Sequence, residues 1–400
     1  MRELFLHVGM HKTGTTSIQQ TLHANRARLQ RAGLSYFEAE EANHSRRVYS
    51  AFAEAPHLYH ANRPHGLHRP EDATAFAAES RDRLSAFLSG APGPALILSG
   101  EDIGMLSPPG KRAMLEAFRP HVDRITVLGF VRPPRSFVAS AVGQRIRGGA
   151  VEAELAQGVA PRYRDRFGDF LDAPDVAEVR LRPYDRAALP RGGCAVAGFL
   201  ALCGAPPPLY DRMEVVRANT ATSRLAALLG LAANEAVPVF LPGGAANPER
   251  TNRLARFLDR LEGPRFEPPA ALVAPLLDRA REDIAWMEGV LGQAFPEEEK
   301  RGGGAEDDLR SLSWPEVQAL ARGLNALLRE GEAARAARRA AGVPAAARKP
   351  GTKATAPGRR KAGEEAAAPA PRPPRPEDRE ALRAARRRQR RIGGEGRAWR

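Results

Sequence analysis

Cysteine is almost missing from this chain: Cys194 and Cys203 are the only two in 400 residues. That excludes a disulfide framework and any cluster of cysteine metal ligands. Both sit in apolar sequence and read as buried thiols. No apolar run approaches the roughly 18 residues that a membrane-spanning helix needs. The N-terminus lacks a basic-then-apolar leader, because strand-like sequence begins at Leu4. Beyond about residue 340 aliphatic side chains are scarce and Trp399 is the sole aromatic, so that stretch has too little to bury and is expected to stay disordered. These absences point to a soluble, cytoplasmic protein whose folded part ends well before its C-terminus.

An excess of one charge sign is also missing from most of the chain. The net charge is +14, but residues 331–400 hold 20 Lys and Arg against 7 Asp and Glu. The first 330 residues keep 41 basic and 40 acidic side chains. A polyanion-binding role inferred from the whole-chain charge therefore belongs to the tail alone.

The chain is organised around its opening. Leu4-Phe5-Leu6-His7-Val8 is a short apolar run with β-propensity, and Gly9-Met10-His11-Lys12-Thr13-Gly14-Thr15-Thr16-Ser17 is a loop with two glycines, a lysine and hydroxyl residues. Ile18, Leu22, Asn25 and Leu29 then follow helical spacing up to Gly33. Strand, glycine-bearing loop and helix form an anion cradle, since glycine lets the backbone curl and a helix N-terminus carries partial positive charge. Gly9 and Gly14 keep the glycine spacing of a nucleotide-hydrolase loop, but Thr15 stands where its lysine belongs, and Lys12 lies inside the loop.

His11-Lys12-Thr13-Gly14-Thr15-Thr16-Ser17 resembles the 5′-phosphosulfate loop of sulfotransferases that use 3′-phosphoadenosine 5′-phosphosulfate, and is most similar to a bacterial branch of that family. The similarity extends in patches over roughly the first 300 residues, the scale of one α/β domain. The resemblance implies that His11 to Ser17 hold the donor. Lys12 would neutralise the departing phosphate, and the N–H groups of Thr13, Gly14, Thr15 and Thr16 would lie on the 5′-phosphate.

A second stretch, Ile125 to Val131, reads as a buried strand ending at Arg132, with Pro133-Pro134 opening a helix through Ser140. An arginine at a strand end with a serine eight residues on resembles the family's 3′-phosphate motif. A guanidinium grips phosphate with a fork, and a hydroxyl adds a neutral donor. Arg217-Ala218-Asn219-Thr220 resembles a downstream segment of the bacterial branch, which makes Arg217 a further donor-binding candidate; Thr220 and Ser223 serve equally as helix caps. The Arg-Lys-Gly loop that covers the 3′-phosphate in cytosolic members is not found, and Lys300-Arg301-Gly302 is only a reversed echo of it.

Residues 38–70 are polar and hold His44, His57, His60, His65 and His68, whose spacings repeat no zinc pattern. They read as loops over an acceptor cleft, with His44 set before a helical pattern. Ala95 to Ser99 reads as a buried strand followed by Gly100-Glu101-Asp102. Carboxyl ends of strands collect chemistry in open parallel sheets, so Glu101 and His44 are the candidate bases, Glu101 being equally suited to capping.

The sequence thus predicts an α/β fold: a P-loop-like parallel sheet flanked by helices on both faces, with strands near 3–8, 34–37, 94–99, 124–131 and 176–181, and a disordered basic C-terminal tail. The expected division is 1–300, an α/β domain; 301–340, a glycine linker and an amphipathic helix announced by the capping signature Ser313-Trp314-Pro315-Glu316; and 341–400, the Ala/Arg/Pro-rich tail. The expected activity moves a sulfuryl group from 3′-phosphoadenosine 5′-phosphosulfate to an acceptor hydroxyl or amine on a carbohydrate, lipid or other small molecule, without a metal. Two other classes stay open. One is an ATP-dependent small-molecule kinase, disfavoured by the lysine position and by the lack of an acidic residue closing the Arg132 strand. The other is a non-catalytic polyanion-binding protein on the same scaffold.

Overall fold

The structure, a computed structural model, describes residues 1–216, 222–241 and 247–296, together with positions 312, 313, 315–317, 320, 324 and 327. Five strands form one sheet: β1 (Glu3–His7), β2 (Leu34–Tyr36), β3 (Ala95–Ser99), β4 (Arg124–Val131) and β5 (Glu178–Pro183). Their order is β2-β3-β1-β4-β5 and every pairing is parallel. The described helices are α1 (Thr15–Ala24), α2 (Arg26–Arg31), α3 (Ser45–Phe52), α4 (Pro70–Gly90), α5 (Pro108–Phe118), α6 (Pro134–Arg147), α7 (Tyr163–Asp172), α8 (Pro190–Gly193), α9 (Ala195–Leu202), α10 (Pro207–Asp211), α11 (Arg224–Ala236), α12 (Asn252–Leu258), α13 (Ala270–Arg279) and α14 (Arg281–Leu291).

The sheet is apolar on both faces, as a parallel sheet must be when crossover helices cover it. Leu4 and Leu6 pair in register with Leu96 and Leu98 and with Ile125 and Val127. These six join one core with Val48, Leu84, Met114, Phe167 and Met287 from the helices. Phe5 points the other way, into a second core with Ile97, Leu128, Ile18, Leu22 and Phe199. Burying each such side chain contributes about 1.5–3 kcal/mol. β1 is the central strand and the point where strand order reverses, so the segments leaving its carboxyl end and those of β3 and β4 converge.

The five expected strands are all present. β5 starts two residues later than expected, because Glu178 is the first residue to pair, opposite Thr126. The single helix expected from Ile18 to Gly33 is two. Asn25 breaks it, since its side-chain amide donates to the Thr21 carbonyl at 2.8 Å and to the Glu214 carbonyl at 3.0 Å. The helical pattern expected after His44 is α3, and the rest of the segment read as loops, 38–70, also carries two 3-10 turns, Pro56–Leu58 and His60–His65. Half of the capping signature near 313 forms: Glu316 accepts from the Ser313 N–H at 2.8 Å, and the Ser313 hydroxyl also donates to the same carboxylate at 2.8 Å. Leu320 and Leu327, described residues of the expected amphipathic segment, pack on the cluster of Leu225, Phe257 and Leu261. Lys300-Arg301-Gly302, the boundaries expected at 300 and 340, and the basic tail lie outside the described residues.

Candidate functional site

The loop between β1 and α1 is fastened before any ligand is considered. Val8 and Met10 continue the β4 pairing through N–H bonds to the carbonyls of Leu128 (2.9 Å) and Phe130 (3.3 Å). The Thr13 hydroxyl, fully buried, donates back to the Met10 carbonyl at 2.7 Å and closes the turn. Lys12 takes the left-handed conformation with φ of 63°, and Gly14 follows at 82°. Gly14 cannot be replaced freely: a Cβ there would meet the Ala195 Cβ at 2.5 Å. Gly14 is the N-cap of α1 and supplies no side-chain cap. The first N–H groups of a helix have no intrahelical partner, and a helix N-terminus carries partial positive charge.

Arg132 meets this loop. Its Nη1 donates to the Lys12 carbonyl at 3.0 Å and its Nε to Ser136 Oγ at 2.9 Å. The Tyr163 hydroxyl of α7 donates to the Arg132 carbonyl at 2.6 Å and pins the strand end. The two stretches read from the sequence as separate phosphate motifs therefore share one place. Ser136, on the first turn of α6, takes a guanidinium contact. Ser140 is half-buried one helical turn further along the same face of α6. The Lys12 ammonium is half-exposed; partial burial, then the positive charge of Arg147 and Arg132, pushes its pKa down.

On the opposite side of β1 the groups are acidic. Glu101 and Asp102 follow β3 directly. Glu101 Oε2 accepts from the Thr15 hydroxyl, which ties β3 to the first residue of α1. His11 Nε2 lies 3.2 Å from Asp102 Oδ1 and 3.6 Å from Glu101 Oε1. Asp102 is itself held, because the Tyr59 hydroxyl donates to its Oδ2 at 2.6 Å and its N–H donates to Ser45 Oγ at 3.2 Å. Burial alone would lower the His11 pKa, but the Asp102 contact and the two carboxylate charges outweigh it and raise it above 6.5. For Asp102, burial would raise the pKa, yet the contacts with His11 and Tyr59 hold it below its ordinary value. The Arg166 guanidinium of α7 is buried nearby and interacts with both carboxylates; its Nε donates to the Pro161 carbonyl at 3.2 Å.

The structure thus brings His11, Lys12, Thr13, Gly14, Thr15, Glu101 and Arg132 together. Thr16 and Ser17 lie half-buried on the first turn of α1. His44 is corrected. It is completely buried, its Nδ1 accepts from the Ser99 N–H at 3.0 Å, and its ring packs on Tyr36 and Phe37. Burial pushes its pKa down to about 3, so the ring is a neutral brace between β3 and α3, closed off from solvent. Arg217 lies outside the described residues. Sequence reasoning missed Tyr59, Ser136 and the pairing of His11 with Asp102. A hydroxyl on the first turn of the helix that Pro133-Pro134 opens, just after Arg132, was a usable signal for Ser136. Tyr59 is the extended residue between two 3-10 turns, in sequence without periodicity, and gave none.

Similarity to known proteins adds little. No protein-family model matches the chain, and no curated protein matches it. A solved structure, the sulfotransferase domain from the curacin biosynthetic pathway, aligns over 70% of this chain and 98% of its own, at 12% identity and a TM-score of 0.29. A superposition that loose does not equate individual residues.

Proposed function

We propose that this protein is a sulfotransferase that moves the sulfuryl group of 3′-phosphoadenosine 5′-phosphosulfate to an acceptor hydroxyl or amine. The observation that carries the reading is the bond from Arg132 Nη1 to the Lys12 carbonyl, which puts a strand-end guanidinium and a phosphate-type loop in one seam. In this reading the loop N–H groups and α1 hold the 5′-phosphate, and Arg132 with Ser136 and Ser140 faces the 3′-phosphate. Arg217 remains a proposed further donor contact. Lys12 neutralises charge on the bridging oxygen as the sulfur–oxygen bond breaks. Preorganised charge of this kind is usually the largest catalytic contribution. Glu101 and its neighbours form the proton-handling side. We keep the division at 300 and 340, the cytoplasmic location and polyanion contact by the basic tail as parts of the same proposal. No helix among the described residues is long and apolar enough to cross a membrane.

A second reading has one specific support. The acidic strand end found missing beside Arg132 exists on the other neighbour of β1, where Glu101 accepts from Thr15. An acidic strand end next to a loop hydroxyl is also how magnesium nucleotides are held in P-loop kinases. The lysine at position 12 rather than 15 argues against that use. Calorimetric titration separates the two: adenosine 3′,5′-bisphosphate binding well above 5′-AMP supports the sulfotransferase, and preference for ATP with magnesium overturns it.

A further inference from the structure

Resting on the sulfotransferase reading, we propose that His11, oriented by Asp102, takes the proton from the acceptor, with Glu101 serving as the carboxylate that anchors the loop and flanks the imidazole. Glu101 Oε2 is already engaged by the Thr15 hydroxyl, and Oε1 only flanks the imidazole edge at 3.6 Å. His44 is sealed in the core. His11 differs from both. It is on the loop, its side chain is about a third exposed (32%), and only Nε2 faces the carboxylates. An Nε2–H directed at Asp102 leaves the Nδ1 lone pair as the basic site, the arrangement by which a buried carboxylate fixes the tautomer of a catalytic histidine. Tyr59 and Ser45 hold Asp102 in turn, so the imidazole is set by four elements: the loop, the β3 end, the start of α3 and the residue after Pro56–Leu58.

The step balances. The acceptor O–H bond breaks and its proton goes to His11 Nδ1. The acceptor oxygen bonds to sulfur, the bond from sulfur to the 5′-phosphate oxygen breaks, and its electron pair leaves with adenosine 3′,5′-bisphosphate beside Lys12. The imidazolium so formed lies between Asp102 and Glu101, which stabilise it. The charged and titratable groups around His11 are Glu101 and Asp102 after β3, Tyr59 and His60 beyond Asp102, Arg166 from α7, and Lys12 and Arg132 at the loop. The two carboxylates dominate and keep the proton on His11 to higher pH, so turnover climbs as pH rises through a value above 6.5.

The test uses the full-length chain with water as acceptor, following sulfate release from 3′-phosphoadenosine 5′-phosphosulfate across pH, beside titration with adenosine 3′,5′-bisphosphate. His11→Gln is expected to slow release by about 10²-fold or more, the usual contribution of a general base, while the Kd stays within about threefold. Asp102→Asn, a change in a positioning residue, is expected to lower turnover and move the acid limb to lower pH. Unchanged release in His11→Gln with the Kd intact overturns the proposal alone, as does an acid limb in Asp102→Asn that does not move. If the Kd rises in step with the lost turnover, His11 is a donor contact and the proposal fails. If the wild-type chain does not bind adenosine 3′,5′-bisphosphate, the sulfotransferase reading fails and takes this proposal with it.

Discussion

The two seams that flank β1 carry opposite chemistry. Between β1 and β4 stand Lys12 and Arg132, cations joined through a main-chain carbonyl. Between β1 and β3 stand Glu101 and Asp102, with His11 and the Tyr59 hydroxyl. One loop spans both, because β1 is the central strand and its carboxyl end has a neighbour on either side. The difference teaches how a nearly neutral domain sets up a polar site: cations on one side suit phosphate, and carboxylates on the other suit proton transfer and would repel phosphate. The separation comes from strand order, since both pairs, 12 with 132 and 11 with 102, are remote in sequence and only the sheet brings them together.

The comparison breaks first at Lys12. If the cationic seam stabilises the leaving phosphate, Lys12→Ala lowers kcat by roughly 10²–10³, the cost of removing one preorganised donor, with a smaller loss of nucleotide affinity. Near-normal turnover in that variant would leave the seam without a catalytic role. On the acidic side the expected effect is smaller. Glu101→Gln keeps an oxygen for the Thr15 hydroxyl, so donor affinity should hold. Turnover should fall by less than in Lys12→Ala, with the acid limb moving to lower pH as one carboxylate charge beside His11 is lost. An acid limb that stays in place would remove Glu101 from the proton-handling side.

Stability should depend on pH through two histidines that belong to neither seam. Burial lowers the His7 pKa to about 4 and that of His44 to about 3, from 6.5 in the unfolded chain. Both are neutral in the fold, so their contribution is fully present above 6.5. It is lost as pH falls toward the folded values, where the unfolded chain binds protons that the native state cannot. The Tm should therefore fall steadily between about pH 6.5 and 4. A flat Tm over that range would mean that these rings are accessible to protons in the native state.

Further along the chain, Arg224 Nη1 meets both Glu316 oxygens at 2.7 Å, and both side chains are buried. Removing everything from residue 312 breaks that pair and uncovers Leu225 and Phe257, which should cost on the order of 3 kcal/mol and lower the Tm. Truncation after residue 330 is the smallest change. Tm and affinity for adenosine 3′,5′-bisphosphate should stay put, and only low-salt retention on heparin should be lost. A truncated chain that no longer folds would place part of the core beyond residue 330.

Much of this was legible in the sequence, for identifiable reasons. Parallel strands buried on both faces read as short apolar runs, and β4 was placed to the residue because Arg124 and Pro133 bound it. The loop was legible because glycine spacing and a lysine are local signals. What failed was non-local or side-chain in nature. Asn25 splits a helix by a side-chain bond to Thr21, which apolar spacing does not register. His44 looked like a cleft residue because it follows polar sequence, whereas the fold closes Tyr36, Phe37 and Ser99 around it. The acidic seam was half-read: Glu101 and Asp102 stood out after a strand, but which strand neighbours β1 is a matter of sheet order.

The central claim is that the seam holding Lys12 and Arg132 is a seat for a nucleotide with phosphates at both 3′ and 5′ positions. Calorimetric titration of the full-length protein with adenosine 3′,5′-bisphosphate, 5′-AMP and ATP with magnesium addresses it directly. The account predicts that the bisphosphate binds most tightly, ahead of 5′-AMP by roughly 2–4 kcal/mol, the worth of charge-assisted contacts to one more phosphate. Equal affinity for the bisphosphate and 5′-AMP, or tighter binding of ATP with magnesium, would contradict it.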